Sequence, residues 1–232
     1  MENDKKILPD CTGINQNVDD LLKSHKVRII YKNAQKILIS LCKNVNIKLG
    51  DKMLYTRKEI SNIYNSTYQL NKAIKEKKIF KIQNGIYSDE EYVNPLAVIS
   101  KKYPNFIFTM DSAFYYWDLT DVIPDKFCLA TKQTSIRINE EDIKQYFIDD
   151  EVFEVGKTTL KVENIEINIY NKERMLVELV RKKNQLPFDY YKEIINNYRK
   201  IANSLNSYKI TEYISYYKNE ETLFDRLQSE VY

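Results

Sequence analysis

Between Thr56 and Tyr87 the apolar residues change from a helical spacing to an alternating one, and each segment is bracketed by residues that start or stop it. That succession leaves few options, because a helix-period stripe does not lie flat as a strand and an alternating run does not stay on one face of a helix. Met53, Leu54 and Tyr55 predict a short strand leading into Thr56-Arg57-Lys58-Glu59, where Thr56 and Glu59 have capping-box spacing. The helix that follows is expected to reach about Tyr64, to bury Ile60 and Ile63, and to stop at Asn65-Ser66, with Ser66 a good cap for the next helix. Over 67–78 the apolar stripe is narrow, Leu70, Ala73 and Ile74, which leaves Thr67, Tyr68, Gln69, Asn71, Lys72 and Lys75 facing outward. Residues 79–87 then alternate, with Phe80, Ile82 and Ile86 separated by Lys81 and Gln83, and Asn84-Gly85 predicts a tight turn.

Upstream, Ala34, Ile37, Leu38, Leu41 and Cys42 have helical spacing over 31–43, with Lys32, Gln35, Lys36 and Lys43 on the other face. Three helices followed by a β-ribbon are the pattern of a winged helix-turn-helix, expected over 27–88 after an N-terminal extension at 1–26. The charge agrees with it. Residues 26–85 hold fourteen lysines and arginines against three acids, whereas 86–232 hold nineteen against twenty-five and 1–25 hold three against five. One basic segment beside an acidic remainder is the footprint expected when one domain meets phosphates and the other does not. The 67–78 helix can then enter a major groove, with Gln69 and Asn71 able to read base edges and Thr67, Tyr68, Lys72 and Lys75 beside them. Lys77, Lys78, Lys81 and Asn84 are placed to touch sugar-phosphate.

Other classes are disfavoured. Apolar runs such as 27–31 and 37–42 are far shorter than the roughly 18 residues that span a bilayer. Residues 1–26 are polar and acidic where a secretory signal would be basic and then apolar, so a cytoplasmic protein is expected. Cys11, Cys42 and Cys128 have no paired spacing, and His25 is the only histidine, which removes histidine-rich metal sites and Ser/His/Asp catalysis. No cofactor or metal is expected. The abundance of Lys, Ile, Asn and Tyr is what an AT-rich coding sequence favours, so the nineteen tyrosines do not by themselves form a stacking platform.

Residues 89–232 predict a second, α+β domain, a small sheet packed with helices. Helices are expected at 92–103, with Pro95 in the first turn, from Asp111-Ser112 as caps through Trp117, and at 173–183 and 190–206. Two further short helices carry Tyr213, Ile214 and Tyr217, then Leu223, Phe224 and Leu227. Strands are expected at 105–109, 126–131 and 165–170, and on both sides of a turn at Gly156, at 152–155 and 158–162.

Three segments, in order, resemble the AbiEi family, antitoxins of type IV toxin-antitoxin systems that also act in abortive phage infection. The run 79–87, ending Gly85-Ile86-Tyr87, is similar to the end of that family's winged domain. Asp111-Ser112-Ala113-Phe114 through Trp117-Asp118-Leu119-Thr120-Asp121 and Pro124 resembles its Ser-Ala-Leu and Leu-Thr-Asp-x-x-Pro stretch. Tyr170-Asn171-Lys172-Glu173-Arg174-Met175-Leu176-Val177-Glu178-Leu179 resembles its Glu-Arg-Thr-Leu-Val-Asp-Leu helix. The sequence departs at Lys78, where the family often has Gly, and at Glu178, where Asp is common. The resemblance implies a non-enzymatic protein with two functions. Its winged domain would bind inverted repeats of double-stranded DNA in its own promoter, and its second domain would counteract an AbiEii-like nucleotidyltransferase toxin, with or without a stable complex.

Three further readings touch parts of the sequence. Gly156-Lys157-Thr158 has the end of a phosphate-binding loop, but Glu151 stands where its first glycine should, and a turn is the better reading. Pro124-Asp125 with Asp142-Ile143-Lys144 formally matches a metal-dependent nuclease signature, although 139–142 reads as a solvated turn and not as the strand such a lysine needs. A repressor that senses a small ligand through its second domain also fits the layout. Glu173 and Arg174 read as a helix start and an internal ion pair.

Overall fold

A computed structural model of the chain describes residues 54–232. Segment 1–26, the helix expected at 31–43 and Met53 lie outside the described residues, which all fall within the unit Lys52–Tyr232. The described chain is α+β. Strand β1 (Leu54–Thr56) runs straight into helix α1 (Arg57–Ile63) because Thr56 serves as its cap. The Thr56 hydroxyl accepts from the Glu59 N–H at 3.3 Å, and the Glu59 carboxylate accepts from the Thr56 N–H at 2.7 Å. This is the capping box that the spacing predicts. Ile60 is fully buried, but Ile63 is 54% exposed, contrary to expectation. The helix ends at Ile63 itself and the extended backbone at Tyr64 carries the chain away before that side chain can turn inward.

Helix α2 (Thr67–Lys75) is capped by Ser66, whose hydroxyl accepts from the Gln69 N–H at 3.2 Å. It ends three residues earlier than the expected 67–78. Lys77 takes the left-handed conformation, φ 54°, while the Lys78 N–H reaches the Ala73 carbonyl at 3.0 Å and the Lys77 N–H reaches that of Ile74 at 3.1 Å. These two bonds make a Schellman closure, a place usually held by glycine. Strands β2 (Phe80–Gln83) and β3 (Ile86–Ser88) then form an antiparallel hairpin, with Gly85 at φ 84°, and β1 adds to the other side of β3. Ile60, Leu70, Ala73, Ile79 and Tyr87 make the small core beneath them.

Beyond residue 88 lie α3 (Pro95–Lys102), β4 (Ile107–Phe108), α4 (Met110–Tyr116), β5 (Phe127–Lys132), β6 (Ile143–Ile148), β7 (Lys157–Val162) and β8 (Ile165–Tyr170). The five strands form one mixed sheet in the order β6-β5-β4-β8-β7. Helices α5 (Lys172–Arg181), α6 (Phe188–Ile201), α7 (Ser207–Ser215) and α8 (Glu220–Glu230) complete the chain. Several expected bounds shift for local reasons. Helix α3 begins at Pro95, behind an Asn94 side-chain cap, and not at Tyr92. Asp111 and Ser112 lie inside α4 and do not cap it; the Ser112 hydroxyl instead accepts from the Cys128 N–H of β5 at 2.8 Å. Residues 152–155 are turn and not strand, the Val155 N–H closing back on the Val152 carbonyl. Helix α6 stops at Ile201 and a short 3-10 turn, Ala202–Ser204, takes its place. Strand β6 was not expected at all.

The corner between β8 and α5 collects polar contacts from distant parts of the chain. Trp117 Nε1 donates to the Tyr170 carbonyl at 2.8 Å, the Tyr198 hydroxyl to that of Lys172 at 2.9 Å, and the Asn171 N–H to that of Gly156 at 2.7 Å. Asn171 Oδ1 caps α5 by accepting from the Arg174 N–H at 2.8 Å, as its Nδ2 donates to the Tyr213 hydroxyl at 2.9 Å. Within α5, Arg174 and Glu178 are almost wholly buried and paired at 3.1 Å, and Arg181 reaches the same carboxylate at 2.6 Å. Among the described residues no helix is long and apolar enough to cross a membrane.

Burial pushes the Glu178 carboxyl up, but Arg181, Arg174 and the Tyr217 hydroxyl together hold it below its ordinary value. A carboxyl lowered on folding stabilises fully above its unfolded pKa of 4.5 and loses that contribution as pH falls further. Glu178→Leu, which strands Arg174 without its carboxylate, is expected to lower the unfolding free energy by about 3–5 kcal/mol at neutral pH. Urea unfolding at pH 7 and pH 3 checks this; the deficit should shrink at pH 3, and a loss under about 1 kcal/mol at pH 7 would show the pair to be dispensable.

Candidate nucleic-acid interface

Helix α2 divides cleanly by burial. Leu70 and Ala73 are buried and Ile74 is half-buried, so the stripe opposite them, at the helical period, is Tyr68, Asn71, Lys72 and Lys75, with Thr67 and Gln69 flanking it. All six are exposed, Tyr68 at 77%. Asn71 therefore sits nearer the centre of the outer face than Gln69, a distinction the linear pattern does not make. Lys77 and Lys78, in the turn after α2, are exposed as well, as are Lys81 on β2 and Asn84 at the hairpin tip. The ten residues singled out from the sequence thus lie on one continuous run of helix, turn and hairpin, all accessible to solvent.

Their electrostatics are uneven. Lys78 Nζ lies 2.7 Å and Lys72 Nζ 3.9 Å from the two carboxylate oxygens of Glu76, the cap residue of α2. The Lys78 hydrogen bond holds the Glu76 carboxyl below its ordinary value, and Glu76 in turn raises Lys78. Among the described residues no ion pair engages Lys75, Lys77 or Lys81. Glu76 was missed in the sequence, although its spacing of four from Lys72 is the signal that would have found it. Two exposed cations on α1 were also passed over: Lys58, and Arg57, whose Nη1 donates to the Tyr87 hydroxyl at 3.3 Å. The other acid nearby, Glu59, is turned elsewhere, bonded by Lys101 of α3 at 2.7 Å and by its own cap, which together draw it down to about 2.

The rest of the surface offers less. Lys144 does lie on a strand, as the second residue of β6, two residues after the turn that ends at Asp142. The expectation that no strand would carry it does not hold, because the solvated turn stops at Asp142 and β6 begins at Ile143. Its ammonium, however, faces Asp111 at 3.8 Å and the Tyr146 ring at 5.4 Å. Asp125 and Asp142 are both exposed. Among the described residues no three His, Cys, Asp or Glu converge as a metal site. Cys128 is buried, and burial raises its thiol, which makes it unreactive. A cleft of about 390 Å³ between α7 and α8 is lined by Thr211, Ser215, Glu220, Glu221, Phe224 and Asp225 among others, an acidic setting unsuited to phosphate.

No protein-family model matches the chain, and no curated protein sequence is detectably similar to it.

Lys77 combines a charge on the face with a backbone conformation that disfavours any side chain. Lys77→Gly is expected to raise the unfolding free energy by about 1 kcal/mol, measured by urea unfolding. A neutral or destabilising result would mean that the Lys77 side chain contributes packing that offsets its strain.

Proposed function

We propose that residues 54–88, together with the helix expected at 31–43, form a winged helix-turn-helix that binds double-stranded DNA. Helix α2 enters the major groove with Tyr68, Asn71, Lys72 and Lys75 foremost and Thr67 and Gln69 at its sides. Lys77, Lys78, Lys81 and Asn84 touch the sugar-phosphate backbone and fix register. The observation that carries this reading is the exposed basic and amide stripe of a helix whose opposite side is buried, followed by Lys77 and Lys78 in the next turn and Lys81 on the hairpin. On the strength of the AbiEi resemblance, the chain is a cytoplasmic self-repressor and antitoxin. It binds inverted repeats in its own promoter, and its C-terminal domain, 89–232, counteracts a nucleotidyltransferase toxin.

A salt-titrated gel shift with Mg²⁺ present, on the DNA upstream of the chain's own gene against random duplex, tests the first half. Specific retardation of intact DNA is expected. Replacing Lys72 and Lys75 by Ala should weaken binding and flatten the slope of log K against log salt by about 1–2, each lysine accounting for about 0.9. Unchanged binding would discard the assignment of α2, and cleaved DNA would redirect attention to Asp125, Asp142 and Lys144. Growth rescue of cells expressing an AbiEii-like toxin, retained by the Lys72/Lys75 variant, is the expected outcome for the second half; no rescue by the unaltered chain would remove the antitoxin role.

A further inference from the structure

Residues 54–88 contain two acids, Glu59 and Glu76, against seven lysines and arginines. Glu59 is committed to the α1 cap and to Lys101. Glu76 instead stands on the basic face, between Lys72 one turn back and Lys78 just ahead. The geometry comes from the backbone. The left-handed residue Lys77 reverses the chain after α2, so Lys78 comes up beside Glu76 and does not continue along the helix axis. Two ammonium groups, one on each oxygen of an anion, is also how two lysines would grip the two charged oxygens of a phosphodiester.

We infer that Lys72 and Lys78 form a subsite for one backbone phosphate of duplex DNA, and that Glu76 fills that subsite in the free protein as a displaceable internal counterion that sets affinity. The inference rests on the DNA-binding reading above. The three side chains are well exposed, 63% for Lys72, 39% for Glu76 and 69% for Lys78, so the pairing is weak and screened, and a phosphate can exchange with it. Glu76 stays ionised throughout the physiological range because Lys78 holds its carboxyl low. The cluster therefore offers DNA one net positive charge where its two lysines alone would offer two.

The test is a salt-titrated binding assay of the full chain, by fluorescence anisotropy with a random duplex, comparing Glu76→Gln with Glu59→Gln. Glu76→Gln is expected to raise affinity about five- to tenfold at 0.1 M salt and to steepen the salt slope by about one, the effect of one additional phosphate contact. Glu59→Gln removes the same formal charge away from the subsite and should change affinity less than about twofold. Adding Lys78→Ala to Glu76→Gln should return both quantities to the unaltered values. If the unaltered chain binds duplex and Glu76→Gln binds equally or more weakly, or if Glu59→Gln strengthens binding as much, the subsite is overturned while the DNA-binding reading stands. Absence of duplex binding by the unaltered chain at low salt would overturn the DNA-binding reading and the subsite with it. Far-UV circular dichroism and melting temperature confirm that each variant is folded, and the exposed position of Glu76 makes loss of fold unexpected.

Discussion

Seven consecutive residues of α5, 174–180, are buried, and a helix enclosed on all sides must satisfy its charges internally. It does so with a single carboxylate. Glu178 accepts from Arg174 and Arg181 of its own helix and from the Tyr217 hydroxyl, so the segment after α7 is held to α5 through one group. The Arg174 guanidinium has no hydrogen-bond partner at Nε or Nη1 and lies instead 5.5 Å from the ring centres of both Tyr170 and Tyr217. Aromatic faces offer a buried guanidinium attraction without a second acceptor. The arrangement also explains Gly156: a Cβ there would lie 2.7 Å from the Arg174 Cβ, closer than side chains approach. The turn before β7 can approach α5 only where no side chain intervenes.

The candidate interface depends on this larger core indirectly. Among the described residues, Ile60, Leu70, Ala73, Ile79 and Tyr87 pack together between α1, α2 and the three-stranded ribbon. Helix α3 supplies a platform. Lys101 bonds Glu59 of α1 at 2.7 Å, while Lys102 joins Gln83 of β2 at 3.3 Å to Glu140 of the β5–β6 connection at 2.6 Å. Tyr103 adds its hydroxyl to the same Glu140 carboxylate. Partly exposed pairs of this kind add little stability each. Their value here is orientational, since they fix the hairpin and α1 to a helix that is itself seated on the five-stranded sheet.

Legibility in the sequence followed how local the determining interaction is. The capping box at Thr56 and Glu59, the Ser66 cap and the Asn84-Gly85 turn rest on contacts within a few residues, and all stand where the spacing places them, whereas strand β8, paired with distant β4, is marked in the sequence by its own alternation. Strand β6 was not legible. It is an edge strand with one neighbour, and its burial does not alternate cleanly. Its Gln145 side chain also turns aside to hold the preceding loop, accepting from the Ile138 N–H at 2.8 Å and donating to the Ile136 carbonyl at 3.1 Å. The end of α2 was misplaced because a lysine, not a glycine, occupies the left-handed position. Glu76 lies between these cases: its relation to Lys72 follows from helical spacing, but its closer contact with Lys78 exists only because of that turn.

The segments that resemble the AbiEi family prove to be concentrated where the frame is tied together. Tyr170, Asn171, Arg174 and Glu178 make the corner and the buried charge cluster. The Leu119 carbonyl accepts from Asn197 at 3.0 Å, and Thr120 and the Asp121 N–H both donate to Glu193, so that motif fastens the loop after α4 to α6. The hairpin motif closes the small sheet. None of Tyr68, Gln69, Asn71, Lys72 and Lys75 belongs to these segments. Replacing any of the framework residues disturbs several neighbours at once. The exposed residues of α2 meet no such constraint: among the described residues no hydrogen bond or ion pair engages the side chain of Tyr68, Gln69, Asn71 or Lys75, and Lys72 has only its loose pair with Glu76, so substitutions there are expected to cost the fold little. On the DNA-binding reading, affinity and sequence preference are therefore set by side chains that the framework leaves free, and Glu76 is the one acid placed among them.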